Sequence, residues 1–145
     1  MVIRKMREAD RAAVIDMMRV FYASPAVLSD GSEEIFRSDV DACLGGGPYA
    51  EGFVFVEGER LVGYGMIAKS YSTEFGKPCV WIEDIYVVPE YRGRGAGTAF
   101  IRLVRETFRD AVIRIEAERE NAAAVATYVK NGFAELPYME LMLRQ

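Results

Sequence analysis

Apolar positions recur along this chain with two different periods, and each change of period marks an element. Val2 to Met6 reads as a short strand, and Asp10 stands where it would cap a helix whose apolar residues Val14, Met17, Met18 and Phe21 fall at helical spacing. A second helix is predicted from Glu33 to Leu44. The stretch CLGGGPYAEG, with consecutive glycines and a proline, interrupts two patterned regions and reads as an internal loop. Beyond it Phe53 to Val56, a turn at Glu57-Gly58-Glu59-Arg60, and Leu61 to Lys69 form a hairpin. The polar connection SYSTEFGKP leads to Val80 to Val88, a β-branched and aromatic run stopped by Pro89, as expected of an interior strand covered on both faces. A helix from about Ala96 to Arg109 stacks Ala96, Phe100, Leu103, Val104 and Thr107 on one side, and a strand at Val112 to Ala117 completes a strand-helix-strand crossover. Asn121 suits the cap of a last helix running to about Lys130, with Asn131-Gly132 as its C-terminal turn. Phe133 to Leu143, interrupted by Pro137, is expected to supply one or two closing strands. The sum is an α/β fold with a mixed sheet, and residues 1–145 are expected to form one domain.

Composition narrows the chemistry. A net charge of −4 argues against a broad nucleic-acid surface and makes a cationic partner the easier expectation. The apolar runs fall far short of the roughly 20 residues that span a bilayer, and MVIRKMREAD has no apolar signal core, so a soluble cytoplasmic protein is expected, without a membrane partner. The chain has no histidine and only Cys43 and Cys79 as thiols, which removes the usual zinc sites and the Ser-His and Cys-His nucleophile pairs; no metal is expected. Proton transfer near neutral pH is left to Glu, Asp, Tyr, Lys or Cys, and both cysteines read as small apolar residues.

The segment VVPEYRGRGAGT carries the sharpest signal. Where a strand runs through a loop into a helix, the loop amides and the first helical turn present unpaired N–H groups, and the helix dipole adds positive charge. Gly93, Gly95 and Gly97 let the backbone approach a diphosphate and adopt positive φ, while Arg92 and Arg94 add charge and forked donors. The Walker pattern is absent, because the loop ends in Gly97-Thr98 without a Lys, and the dinucleotide pattern fails because Thr98 and Phe100 stand near where its third glycine belongs. The loop alone leaves open a tight turn with solvated arginines, or a different phosphate ligand.

Arg92-Gly93-Arg94-Gly95-Ala96-Gly97 resembles the Arg/Gln-x-x-Gly-x-Gly/Ala motif of the GNAT superfamily of acetyl-CoA-dependent N-acetyltransferases, and ENAAAVATYVKNGF resembles that family's Asn-led helix ending in Tyr and then Gly-Phe. Locally, WIEDIYVVPEYRGRG is most similar to the branch of spermidine/spermine acetyltransferases, which carries the same Glu-Asp pair. The resemblance implies a mostly antiparallel sheet flanked by helices, with a strand splay that grips acetyl-CoA as co-substrate. It places Ile85, Tyr86, Val87 and Val88 along the pantetheine, residues Arg92, Gly93, Arg94, Gly95, Ala96, Gly97 and Thr98 around the diphosphate, and Asn121 on the pantetheine arm or as a plain helix cap.

Acetyl transfer from a thioester to an amine needs a neutral amine, stabilisation of a developing oxyanion, and a proton for the thiolate. By analogy with the family, Glu83 is the carboxylate base and Tyr128 the acid. Asp84, next along the strand, is expected to orient or attract a cation, and which of Glu83 and Asp84 is the base stays open. Tyr22, Glu33, Glu34, Asp39 and the loop Ser70 to Lys77 fall where the family lines its acceptor cleft; their acidic excess suits a small cationic primary amine or is simply a solvated face. The rival function is an acyl-CoA sensor without turnover. Homodimers are common in the family, and LPYMELMLRQ is a candidate for such a contact or an edge strand.

Overall fold

The computed structural model describes residues 1–145, and it places a five-stranded sheet between two pairs of helices. The strands are β1 (Val2–Lys5), β2 (Ala50–Glu57), β3 (Arg60–Ser72), β4 (Lys77–Val87) and β5 (Val112–Ile115), and they lie side by side in chain order. The first three pairings are antiparallel, and β4 with β5 is parallel. The helices are α1 (Arg11–Tyr22), α2 (Glu33–Leu44), α3 (Ala96–Thr107) and α4 (Ala122–Lys130). The expected α/β architecture, with a mostly antiparallel mixed sheet, is thus present.

One face of the sheet packs Val54, Tyr64, Met66 and Tyr86 against Val14, Met18, Phe36 and Val40 of α1 and α2. The other packs Phe53, Phe55, Val62, Ile67, Val80 and Ile82 against Phe100, Ile101 and Val104 of α3. Phe100 is fully buried, which contributes on the order of 1.5–3 kcal/mol. It reaches the strand because position 65 is glycine: a Cβ there would lie 2.5 Å from the Phe100 ring. The buried side of α3 includes Ile101 rather than the expected Thr107, which is exposed at the helix's last position.

Two further expectations are corrected. Asp10 does not cap α1; its carboxylate is drawn back to Arg4 (2.7 and 2.9 Å) and to the Arg7 amide (2.8 Å), which fastens a short 3-10 turn to β1. The hydrogen bond from Arg4 chiefly holds the Asp10 carboxyl below its ordinary range. The C-terminal segment after Phe133 forms no strand. Pro137 has no N–H to give a ladder, and the apolar residues of the segment stay in solvent, Leu141 and Leu143 being 85% and 87% exposed. No helix is long and apolar enough to cross a membrane.

Candidate active site

Two irregularities in β4 coincide. Along the β3 side, Ile67 pairs with Ile82 and Met66 with Asp84, so Glu83 is an extra residue in a β-bulge. Along the β5 side, pairing runs only from Cys79–Val112 to Ile82–Ile115. From Glu83 onward, β4 has no strand partner on that side. The flank of β4 around Ile85 to Val87 that faces away from β3 therefore has no ladder partner, and Val87 O there accepts from Arg92 Nε (2.9 Å).

The bulge also re-aims the side chains. Val80 and Ile82 pack toward α3, whereas Asp84 and Tyr86 face α1 and α2, although all four are even-numbered. Glu83 is exposed and Asp84 is 4% exposed. Desolvation raises the Glu83 carboxyl above its ordinary range, with Glu140 and Asp39 adding to it. Desolvation pushes Asp84 up to about 6, against hydrogen bonds donated by Tyr64 (3.0 Å) and Tyr22 (3.2 Å) that favour the ionised form. Burial drives the Tyr22 and Tyr64 hydroxyls well above the ordinary phenol range, so both stay protonated donors.

Past Val88, whose amide bonds Val62 O at 2.9 Å, Pro89 opens a short 3-10 turn into the loop. Gly93 and Gly95 take φ of 73° and 83°, values that favour glycine, and nothing lies within 4 Å of a Cβ built at either. The first main-chain bond past the loop is Ala99 N to Gly95 O (2.9 Å), so the amides from Gly93 to Thr98 precede the α3 ladder and stand as a row of donors without main-chain partners. Ala96 is buried and anchors the row against the sheet. The arginines are partly committed: Arg92 donates from Nε to Val87 O (2.9 Å) and lies over the Tyr86 ring, and Arg94 stacks on Tyr91 at 4.8 Å. They brace the loop while keeping exposed guanidinium edges. Such a row of amides at a helix start, with the nearby β4 main chain free on one side, fits a diphosphate-bearing acyl carrier.

Asn121 caps α4, its side chain accepting from the Ala124 amide at 3.3 Å. Tyr128 is half-buried, edge-on to Phe133 at 6.1 Å, and burial raises its phenol above the ordinary value. Asn131 joins α3 and α4, donating to Thr98 Oγ1 (3.1 Å) and Thr127 O (2.8 Å). The Asn-Gly pair signalled only a turn in the sequence; the partner 33 residues away carries no local mark. On α2, Asp39 is half-buried with its carboxyl raised by desolvation, whereas Glu33 points outward to Arg19. Glu140 acts on Glu83 and on Glu116, beyond the end of β5, so the C-terminal segment reaches the acidic cluster. Burial pushes the Cys43 thiol up to about 12, which suits an inert residue.

Bulge, interrupted pairing and amide row together define an acyl-CoA-dependent transferase fold. The profile of the acetyltransferase (GNAT) family matches residues 15–133, and the chain belongs to that family of acetyl-CoA-dependent N-acetyltransferases. Among similar curated proteins, the thialysine N-epsilon-acetyltransferase of Sus scrofa is 33% identical over 153 aligned residues, covering 96% of this chain and 87% of that one. Among solved structures, the aminoglycoside 6'-N-acetyltransferase of Acinetobacter haemolyticus superposes with a TM-score of 0.79 at 18% identity, over 100% of this chain and 99% of that one. AAC(6')-Iy, solved with a bisubstrate analogue of CoA, reaches a TM-score of 0.81 at 16% identity, over 99% and 97%. These two likenesses concern the fold.

Proposed function

We propose that this acetyltransferase acts on a small cationic primary amine by direct attack on the thioester. The observation that carries the reading is the placement of Glu83 in a bulge where β4 loses its β5 partner, one short loop from the amide row. Glu83 takes a proton from the ammonium, directly or through one water, and its raised pKa brings it nearer to that work at neutral pH. The amine nitrogen then forms its bond to the acetyl carbon, and the carbon–sulfur bond breaks. Tyr128 supplies the proton that the departing thiolate takes up, and the excess proton left on the newly acylated nitrogen returns to the Tyr128 phenolate through solvent, leaving the neutral amide and the free thiol. The open flank of β4 at Ile85 to Val87, with Val88 closing it, and the amides of Gly93 to Thr98 hold the pantetheine and diphosphate, with Asn121 beside the arm.

The acidic groups Asp39, Glu83, Asp84, Glu116 and Glu140 act on one another without a Lys or Arg among the causes of the Glu83 and Asp84 shifts, which supports a cationic acceptor. The relative's thialysine makes a lysine-like side-chain amine the first acceptor to try. The exposed apolar segment from Leu136 to Leu143, together with the unpaired outer edge of β5, fits pairing with a second copy, so a homodimer belongs to the proposal. The test is acetyl-CoA-dependent thiol release against thialysine, polyamines, aminoglycosides, free amino acids and short peptides, with Glu83→Gln beside the wild type. Release with one amine class that is lost in the variant supports the reading; equal release from both removes Glu83 as the base.

A further inference from the structure

Asp84 is buried without a cation. The groups that face it are Tyr64 on β3, Tyr22 on α1, Asp39 and Cys43 on α2, and Glu83 beside it on β4; each is neutral or acidic. A buried carboxylate ordinarily pairs with a positive group or gives up its charge. Here two phenol hydroxyls are the hydrogen-bonding partners that favour the charge. The two differ in kind. Tyr22 is half-buried at the end of α1, whereas Tyr64 is fully buried, and its ring is fixed between Phe21 and Tyr86 at centroid distances of 6.4 and 6.0 Å. Tyr64 also sits beside the bulge, since it pairs with Tyr86 two residues from the Met66–Asp84 step. Its hydroxyl therefore meets Asp84 from the sheet side with little freedom to turn elsewhere.

We propose that Tyr64 is a positioning residue for amine recognition: its hydroxyl holds Asp84 ionised and fixed, so that the carboxylate serves as the waiting counter-ion for the acceptor's ammonium group. This rests on the acetyl-transfer reading above. A buried anion with preset donors and no internal cation binds an incoming cation without first breaking an ion pair, which favours affinity through preorganisation. Tyr22 completes the arrangement from the helix side.

The sign of the effect follows from the hydrogen bond. Removing a donor to the ionised form raises the carboxyl's pKa further, so less of it is charged at neutral pH. Tyr64→Phe is therefore expected to move the acid limb of kcat/KM for the amine upward by about one pH unit, worth roughly 1.4 kcal/mol. The loss should fall on the amine KM rather than kcat, and wild type and variant should converge at high pH, where Asp84 is ionised in both. A merely structural defect would lower activity at every pH alike. An activity-independent reading is the titration of the Asp84 carboxyl carbon by NMR in both proteins, expected to show the same upward shift of midpoint. Should the variant fold poorly, the Tyr64 hydroxyl proton in the wild type is followed instead, and it should shift with the midpoint of Asp84. An unmoved limb and midpoint in active protein, or a hydroxyl proton indifferent to Asp84, overturns the role of Tyr64. A wild type silent toward every amine, with the midpoint nonetheless moved in the variant, overturns the acetyl-transfer reading instead and leaves the hold of Tyr64 on Asp84 standing.

Discussion

The cofactor side and the acceptor side of this molecule are built from different materials. In the mechanism proposed, acetyl-CoA meets main chain: the open flank of β4 and the amides from Gly93 to Thr98. The amine, in the same proposal, meets side chains: Asp39, Glu83, Asp84, Tyr22 and Glu140, gathered from two helices, a strand and the C-terminal segment. Main-chain donors are indifferent to most substitutions but sensitive to backbone conformation. Side-chain groups are the reverse. The first surface suits a ligand that never changes, and the second suits one that differs between relatives.

The largest effect expected is on the chemical step itself. Glu83→Gln should lower kcat by about 10²- to 10⁴-fold, the usual worth of a positioned base, while acetyl-CoA binding measured by calorimetry stays as it was. A comparable loss of acetyl-CoA affinity would break the division between the two sides. Phe100→Ala should lower stability by about 3–5 kcal/mol in denaturant unfolding, because the ring fills the core beneath the cofactor loop and touches neither ligand surface. Gly95→Val forces a branched side chain into left-handed backbone and should raise the acetyl-CoA KM about tenfold, from roughly 1–2 kcal/mol of strain, with the amine KM unchanged. The smallest effects separate two acidic residues of α2. Asp39→Asn should raise the amine KM a few-fold, whereas Glu33→Gln, whose carboxylate is exposed and turned to Arg19, should change neither KM nor the melting temperature measurably.

The same division explains what the sequence made legible. Glycines at 93 and 95 announce a backbone that must curl, and the apolar run before Pro89 announces the strand that delivers it, so the shape of the loop could be read locally while its ligand came from the resemblance of the whole motif. Helix α2 was legible to its ends because Ser32 caps it and a glycine follows Leu44. The bulge was not, since nothing in WIEDIY says which residue the neighbouring strand will skip, and simple alternation is blind to it. Nor does the hydroxyl of Tyr64 advertise a carboxylate 20 residues away. The closing strands were expected from apolar content alone, but a strand needs an edge as well as a pattern, and Leu136 to Leu143 find none within this chain.

The bulge at Glu83 has a last implication, for how such a site diverges. Because Glu83 is the residue that β3 skips, the sheet does not count it: remove it, and Ile82 and Asp84 still fall on opposite faces of a regular strand. Position 83 is thus a place where selection on chemistry and selection on folding act on separate letters of the same strand. Under the proposed mechanism, the base can therefore be exchanged or lost there at little expense to the sheet.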